Sequence, residues 1–188
     1  ETDYPVPEPA QAYLEKVVGK PYGLKNMPIE DLLKKVWRSE LPGHPLIKTE
    51  AEDRLRHARG QSLNDWVDMC DGLVDTFPDG VAYPSNDADV RELIKFALKH
   101  GINLVPYGGG SSVVGHLTPP GEGPPTLSVD LLHMNHLQDL NEESHEATFG
   151  AGVSGPQLEA QLEKHGYVLG HFPQSWEYST LGGWIVTR

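Results

Sequence analysis

The 188-residue chain suits one ordinary domain or one large part of a bigger protein, and its 38% hydrophobic and 22% charged residues allow a real core, which argues against disorder. Lys and Arg total 15 against 27 Asp and Glu, for a net charge of −12 with no basic run, so nucleic acid and anionic membrane surfaces are disfavoured as partners. A single cysteine, Cys70, excludes an internal disulfide framework and multi-cysteine metal centres, and no apolar run approaches the ~20 residues of a membrane-spanning helix.

The chain opens on Glu1-Thr2-Asp3-Tyr4, with no Met and no leader-like apolar stretch, and it stops inside the apolar run Trp184-Ile185-Val186. Both ends are expected to be trimmed. Prolines at 5, 7, 9, 21, 28, 42 and 45 break the first 48 residues into short pieces. Helices are expected at Ala10 to Val18, at Ile29 to Val36 and from about Thr49 to Arg59, the last stopped by Gly60. Residues 1–76 thus read as a helical N-terminal arm that packs on a larger body, residues 77–188.

After Pro78-Asp79-Gly80 the pattern becomes strand, helix, strand. Val81-Ala82-Tyr83 is a short strand, and Ser85, Asn86 and Asp87 offer oxygens to the free N–H groups of a helix start. Val90, Leu93, Ile94, Ala97 and Leu98 share one helical face, and Gly101 is a C-terminal stop. Ile102 to Val105 is apolar and short, a buried strand ending at Pro106, which completes a βαβ unit. Further strands are expected at Thr126 to Asp130 and Glu146 to Phe149. Ser154 and Gln157 form a capping box before a helix with Leu158 and Leu162 inward and Gly166 at its end. The fold class is α+β.

Directly after the Ile102–Val105 strand come Pro106-Tyr107-Gly108-Gly109-Gly110-Ser111-Ser112. Successive glycines can take positive φ and aim several N–H groups at one spot, an anion nest suited to a pyrophosphate; the same glycines also suit a plain tight turn. Known phosphate fingerprints do not fit. Gly-x-Gly-x-x-Gly fails at Val113, and the P-loop spacing of Gly110 and Gly115 is followed by His116-Leu117 rather than Lys-Ser/Thr. A hydrolase elbow fails too, because Gly60-Gln61-Ser62 runs into Leu63-Asn64. A second segment, Gln174-Ser175-Trp176-Glu177-Tyr178-Ser179-Thr180, followed by Gly182-Gly183, sets hydroxyls and bare backbone beside large aromatics. That suits a wall for a planar, phosphate-bearing cofactor, or an aromatic hairpin or loop serving the core.

The remaining candidates read as ordinary structure. His133 and His136 have a metal-compatible spacing but no completing carboxylate or cysteine pattern, and Cys70 has no assignable base. Arg54, Arg56, His57 and Arg59 sit on an expected helix as surface charges.

The run Pro106 to Val113 resembles the first flavin-binding signature of the vanillyl-alcohol oxidase/p-cresol methylhydroxylase superfamily. The run Gly170 to Arg188 is narrower and resembles the second signature of the alkyldihydroxyacetonephosphate synthases and their bacterial relatives. Arg54 to Leu63, Phe77-Pro78-Asp79 and Asp130 to Asn135 fit the same subgroup, so the likeness runs from about residue 25 to 188. It implies the first part of a two-subdomain FAD-binding domain of the PCMH type, incomplete at its C-terminus. Pro106, Tyr107, Gly108, Gly109, Gly110, Ser111 and Ser112 would wrap the FAD pyrophosphate. Gln174, Ser175, Trp176, Glu177, Tyr178, Ser179, Thr180, Thr187 and Arg188 would continue the FAD site. The family often has aspartate at the place of Gln174 and a smaller side chain at that of Trp176. Ser111 stands where some members tether the flavin through histidine, which implies non-covalent FAD.

The catalytic residues are expected beyond Arg188. The implied reaction exchanges the acyl group of acyl-dihydroxyacetone phosphate for a fatty alcohol, without net redox change. A flavin-linked dehydrogenase or oxidase of 2-hydroxy acids such as D-lactate or glycolate is the alternative, and a non-catalytic binding module is a third reading. The partners expected are a small-molecule or lipid substrate, with a homodimer compatible and no metal. The resemblance implies a cytoplasmic location in bacteria and a peroxisomal one in eukaryotes.

Overall fold

A four-stranded sheet forms the centre of the computed structural model, which describes residues 5–187. Its strands are β1 (Ile47–Lys48), β2 (Gly80–Ala82), β3 (Asn103–Tyr107) and β4 (Thr126–Asp130), in the spatial order β1-β2-β4-β3. β2 and β3 both run parallel to β4, while β1 caps the far edge antiparallel to β2. The β2–helix–β3 crossover expected from the sequence is present, but its two strands are not neighbours, because β4 enters between them. The expectation of a buried strand after Gly101 is therefore corrected. β3 is an edge strand among the described residues, with Asn103 and Pro106 exposed, whereas every residue of β4 is buried. Pro106 explains the choice: it has no N–H to give a ladder, so it is tolerated at an edge and not in a central strand.

The crossover helix α5 (Asp87–His100) starts and stops where its caps dictate. The Asn86 side chain accepts from the N–H groups of Ala88 and Asp89 at 2.9 and 3.0 Å, and Gly101 closes the helix at φ +64°. Leu93 and Ala97 pack on Ala82, Ile102, Leu127 and Val129. Ile94 and Leu98, expected on the same face, remain exposed at 44% and 79%.

In the N-terminal region α1 (Glu8–Val18) buries no residue, while α2 (Ile29–Leu33) contributes Leu32 to a small core with Ala58, Val74 and Phe77. α3 (Ala51–Arg56) is shorter than expected. Sequence reasoning passed over α4 (Leu63–Asp71), although Ser62 and Asp65 form a reciprocal capping box, each side chain accepting the other's N–H at 3.1 and 2.9 Å. An antiparallel pair, β5 (Leu137–Asn141) and β6 (Glu146–Phe149), follows, of which only β6 was expected. α6 (Gly155–Glu163) begins at the expected Ser154–Gln157 box. Its Leu158 and Leu162 join Val153 in a third cluster against Leu181 and Trp184 of α7 (Leu181–Thr187), a helix not foreseen in the glycine-rich run.

The basic group on α3 and just after it is another correction. Only Arg56 is a surface charge, paired with Glu52 at 2.7 Å. Arg54 is 1% exposed, lies over the Trp37 ring and donates to the carbonyls of Trp37 and Pro78. Arg59 is buried too, donating to the Thr76 carbonyl and hydroxyl at 3.0 and 2.9 Å. These side chains staple the loops around the first strands rather than decorating a face, because their planar donors satisfy carbonyls that no ladder reaches.

Candidate functional site: a glycine loop against a hydroxyl-rich turn

β3 and β4 end together, with Tyr107 in register with Asp130, so the chain leaves the sheet edge at Gly108. The N–H groups of Gly108, Gly109, Gly110, Ser111 and Ser112 find no hydrogen-bond acceptor among the described residues. Five consecutive unpaired donors at the end of a parallel strand are groups of the kind that can accept an anion. The expected positive φ accounts for one of the three glycines. Only Gly110 takes a positive φ, +68°. Gly108 and Gly109 are required by proximity: a Cβ on Gly108 would meet the Thr180 side chain, and one on Gly109 would collide with the Tyr178 carbonyl. The two segments singled out in the sequence thus lie against each other.

The second segment is a tight turn followed by α7. Ser175 sits at φ +58°, and its carbonyl accepts the N–H groups of Tyr178 and Ser179 at 2.9 and 2.7 Å and the Ser179 hydroxyl at 2.8 Å. That convergence holds a non-glycine residue in the left-handed region, a conformation costing on the order of 1–3 kcal/mol. The buried Ser179 hydroxyl also accepts from the Trp184 indole at 2.7 Å. It is therefore committed to the turn. An antiparallel bridge between Ser154 and Thr180, with Leu181 donating to the Val153 carbonyl at 3.0 Å, anchors the turn to the start of α6. Trp176 packs on Gly155, where a Cβ would overlap the indole, and its ring N–H is buried without a partner.

Gln174, Ser175, Glu177 and Tyr178 are exposed, while Thr180 is buried beneath Gly108. Thr187 is exposed at the end of α7, its hydroxyl donating to the Gly183 carbonyl at 2.7 Å. Arg188 lies outside the described residues. His133 and His136 are exposed, and no group of three His, Cys, Asp or Glu that could hold a metal occurs among the described residues. Cys70 is a half-buried free thiol.

Sequence reasoning missed the support beneath the loop. The imidazole of His57 lies 4.3 Å from the Tyr107 ring, tilted by 51°, and its Nε2 is 2.9 Å from the buried Asp130 carboxylate. At the far end of the loop, the Ser112 carbonyl accepts the Gln61 N–H at 2.6 Å. The only available signal was the placing of a histidine and a glycine (His57 and Gly60) among residues that resembled the family.

Burial pushes the Tyr107 phenol up to about 12, with the Asp130 charge adding to the shift. The unfolded chain ionises at the ordinary 10 while the folded one keeps its proton, so the contribution to stability is complete below pH 10 and is lost as pH rises through about 12. Tyr83 shifts in the same direction, chiefly through burial. Tyr107→Phe is expected to flatten the fall in unfolding free energy between pH 9.5 and 12 by about 2 kcal/mol, as read by urea titration at each pH. An unchanged alkaline slope would show that Tyr107 titrates freely.

The sequence family described as an FAD binding domain matches residues 78–188. The chain belongs to that family of flavin-binding domains. Within it the chain is alkyldihydroxyacetonephosphate synthase-like. It is 34% identical over 184 residues to the alkyldihydroxyacetonephosphate synthase of Trypanosoma brucei brucei, which covers 97% of this chain and 29% of that protein. A mitochondrial cytochrome-dependent D-lactate dehydrogenase of Kluyveromyces lactis is 32% identical over 96 residues, 51% of this chain and 17% of that protein. A solved structure of alkyldihydroxyacetonephosphate synthase superposes with a TM-score of 0.75 at 30% identity, covering 92% of this chain and 35% of the other. Substrate-bound p-cresol methylhydroxylase, at 15% identity, shares the fold with a TM-score of 0.59 over 85% of this chain and 29% of its own. The α+β architecture is therefore part of a PCMH-type FAD-binding domain, and the chain spans under a third of the curated relatives it matches.

Proposed function

We propose that this chain belongs to an FAD-dependent enzyme of the alkyldihydroxyacetonephosphate synthase type, which exchanges the acyl group of acyl-dihydroxyacetone phosphate for a fatty alcohol in ether-lipid synthesis. The observation that carries the choice of reaction is the extent of the similarity. The trypanosomal synthase is 34% identical over 97% of the chain, arm included, whereas D-lactate dehydrogenases reach 32% identity over 51% of it or 26% over 76%. Pro106 to Ser112 would hold the FAD pyrophosphate, since five free N–H groups suit its oxygens and Gly108–Gly110 leave no Cβ in the way. Trp176, with its unpartnered ring N–H, and the exposed Gln174, Ser175, Glu177 and Tyr178 would flank the same ligand, and Thr187 and Arg188 would continue the site. Bound FAD supplies the electron-accepting ring that the chemistry requires. The residues of this chain bind and orient it, non-covalently because Ser111 occupies the place of a tethering histidine. The residues that touch substrate are proposed to lie beyond Arg188. A small-molecule or lipid substrate and, in a bacterium, a cytoplasmic location belong to this reading, and a homodimer is compatible with it.

The test uses the whole protein. Yellow colour released by heat establishes non-covalent flavin, and incubation with acyl-dihydroxyacetone phosphate and a long-chain alcohol is expected to give an ether product and a free fatty acid. Bleaching of the flavin by D-lactate or glycolate, with no ether product, would overturn the synthase reading in favour of a 2-hydroxy-acid dehydrogenase.

A further inference from the structure

The residues that support the glycine loop come from a distant part of the chain and are buried. The side chains of His57 and Asp130 are 8% and 6% exposed. Asp130 Oδ1 accepts the Leu132 N–H at 2.9 Å, which leaves Oδ2 for His57. His57 Nδ1 is 2.7 Å from the Asp53 carbonyl oxygen, an atom that only accepts, so Nδ1 carries a hydrogen. Nε2 then faces carboxylate Oδ2 at 2.9 Å, and that contact is a hydrogen bond only if a second proton lies between the two. Both ring nitrogens thus face acceptors at hydrogen-bonding distance, and both contacts are hydrogen bonds only when the pair holds one proton more than a neutral imidazole and a carboxylate.

The surrounding groups offer no substitute partner. On α3, the Asp53 carboxylate accepts the Tyr83 hydroxyl and Arg56 is paired with Glu52 at 2.7 Å. Tyr83, after β2, lies edge-on to His57 at 5.9 Å and to His133 at 5.9 Å, while Lys48 of β1 sits over the Tyr83 ring at 4.9 Å. Tyr107, at the end of β3, stacks on His57 itself. Its carbonyl accepts the Leu131 N–H at 2.9 Å, and its hydroxyl fills the space that a Cβ on Gly110 would need. The chain of contact runs from Asp130 through His57 and Tyr107 into the glycine loop, and Gly60 and Gln61 hold the loop's other end at Ser112.

We propose that the buried His57–Asp130 pair is a positioning element of the phosphate-binding loop, and that holding its shared proton sets how tightly the loop binds the pyrophosphate of FAD. The proposal rests on the reading of that loop as the FAD pyrophosphate site. Loss of the proton leaves the Nε2 lone pair against a carboxylate oxygen in a buried place, so the pair separates and Tyr107 and the loop lose their support.

The test measures FAD affinity of the whole protein by quenching of flavin fluorescence between pH 6 and 9, a window in which the pyrophosphate keeps its charge. Unmodified protein is expected to lose roughly tenfold in affinity across that window. His57→Gln and Asp130→Asn are each expected to bind roughly tenfold more weakly at pH 6 and to show no pH dependence. Circular dichroism checks that each variant folds; where one does not, the profile of the unmodified protein decides. Tight binding that is flat with pH, or variants that bind like the unmodified protein, would overturn the role of the pair while leaving the FAD site standing. A protein that binds no FAD at any pH would overturn both.

Discussion

Gly109→Ala is expected to reduce FAD affinity by roughly 100-fold or more, with a smaller loss of stability. Gly109 does not have a positive φ, so the backbone itself would accept alanine. The obstacle is the Tyr178 carbonyl, which occupies the position of the new methyl, with the Ser179 nitrogen close behind it. Neither is the tip of a flexible side chain. The Tyr178 carbonyl belongs to the turn that the Ser175 carbonyl holds through three hydrogen bonds, and that turn is bridged to Ser154 through Thr180. The loop must therefore move, and with it the five unpaired N–H groups on which the proposed FAD site depends. Gly121→Ala is the control, since its Cβ would meet only the Thr76 methyl at an ordinary 3.5 Å, and it is expected to stay within about 0.5 kcal/mol of the parent in stability and to bind FAD normally. Fluorescence titration with FAD, together with urea unfolding, measures both. Normal FAD binding by a folded Gly109→Ala protein would show that the glycines serve only a turn.

The second large effect lies well away from the loop. Arg54→Ala is expected to lower the unfolding free energy by about 3 kcal/mol, a substantial part of the 5–15 kcal/mol typical of a domain. The guanidinium is 1% exposed and donates to two carbonyls, those of Trp37 and Pro78, while its plane lies over the Trp37 ring at 5.6 Å. Removing it leaves the buried Pro78 carbonyl and the part-buried Trp37 carbonyl without this donor and opens a cavity beneath the ring. One nitrogen, Nη2, has no partner, and relief of that unsatisfied donor keeps the cost below the sum of the lost contacts. Arg54→Lys is expected to recover less than half, because an ammonium is a point donor and cannot span two carbonyls that a planar fork reaches. Chemical denaturation of the three proteins decides the matter. A change under about 1 kcal/mol for Arg54→Ala would mean that the arm and the sheet do not depend on this staple.

Much of the local structure was legible in the residues themselves. Asn86 and Gly101 bound α5, Ser154 and Gln157 start α6, and the stretch Thr126–Asp130, in which Leu127 and Val129 alternate with polar residues, is a strand from end to end. Each of these signals acts over a few residues, through a cap oxygen, a left-handed glycine or a run of side chains, so it survives in the linear order. The glycine loop and the Gln174–Thr180 turn were legible for the same reason, as were the residues that carry the family likeness. α4 was legible as well, through Ser62 and Asp65, but a capping box with aspartate in place of glutamate is a weaker flag. α7 was hidden because two glycines near its start lower helix propensity, and its packing of Leu181 and Trp184 on the Val153 cluster overrides that penalty.

What the linear order could not hold is which segments meet. β4 enters between β2 and β3 because a strand buried throughout needs partners on both sides, and a strand containing Pro106 can serve only one. Gly108 and Gly109 are glycine because Thr180 and the Tyr178 carbonyl come to rest against them, not because their own dihedrals demand it. Arg54 and His57 look like the charged face of a short helix until Pro78 and Asp130 close over them. Caps and periodicities are set by neighbours along the chain, whereas burial and pairing are set by neighbours in space, and only the folded chain brings those together.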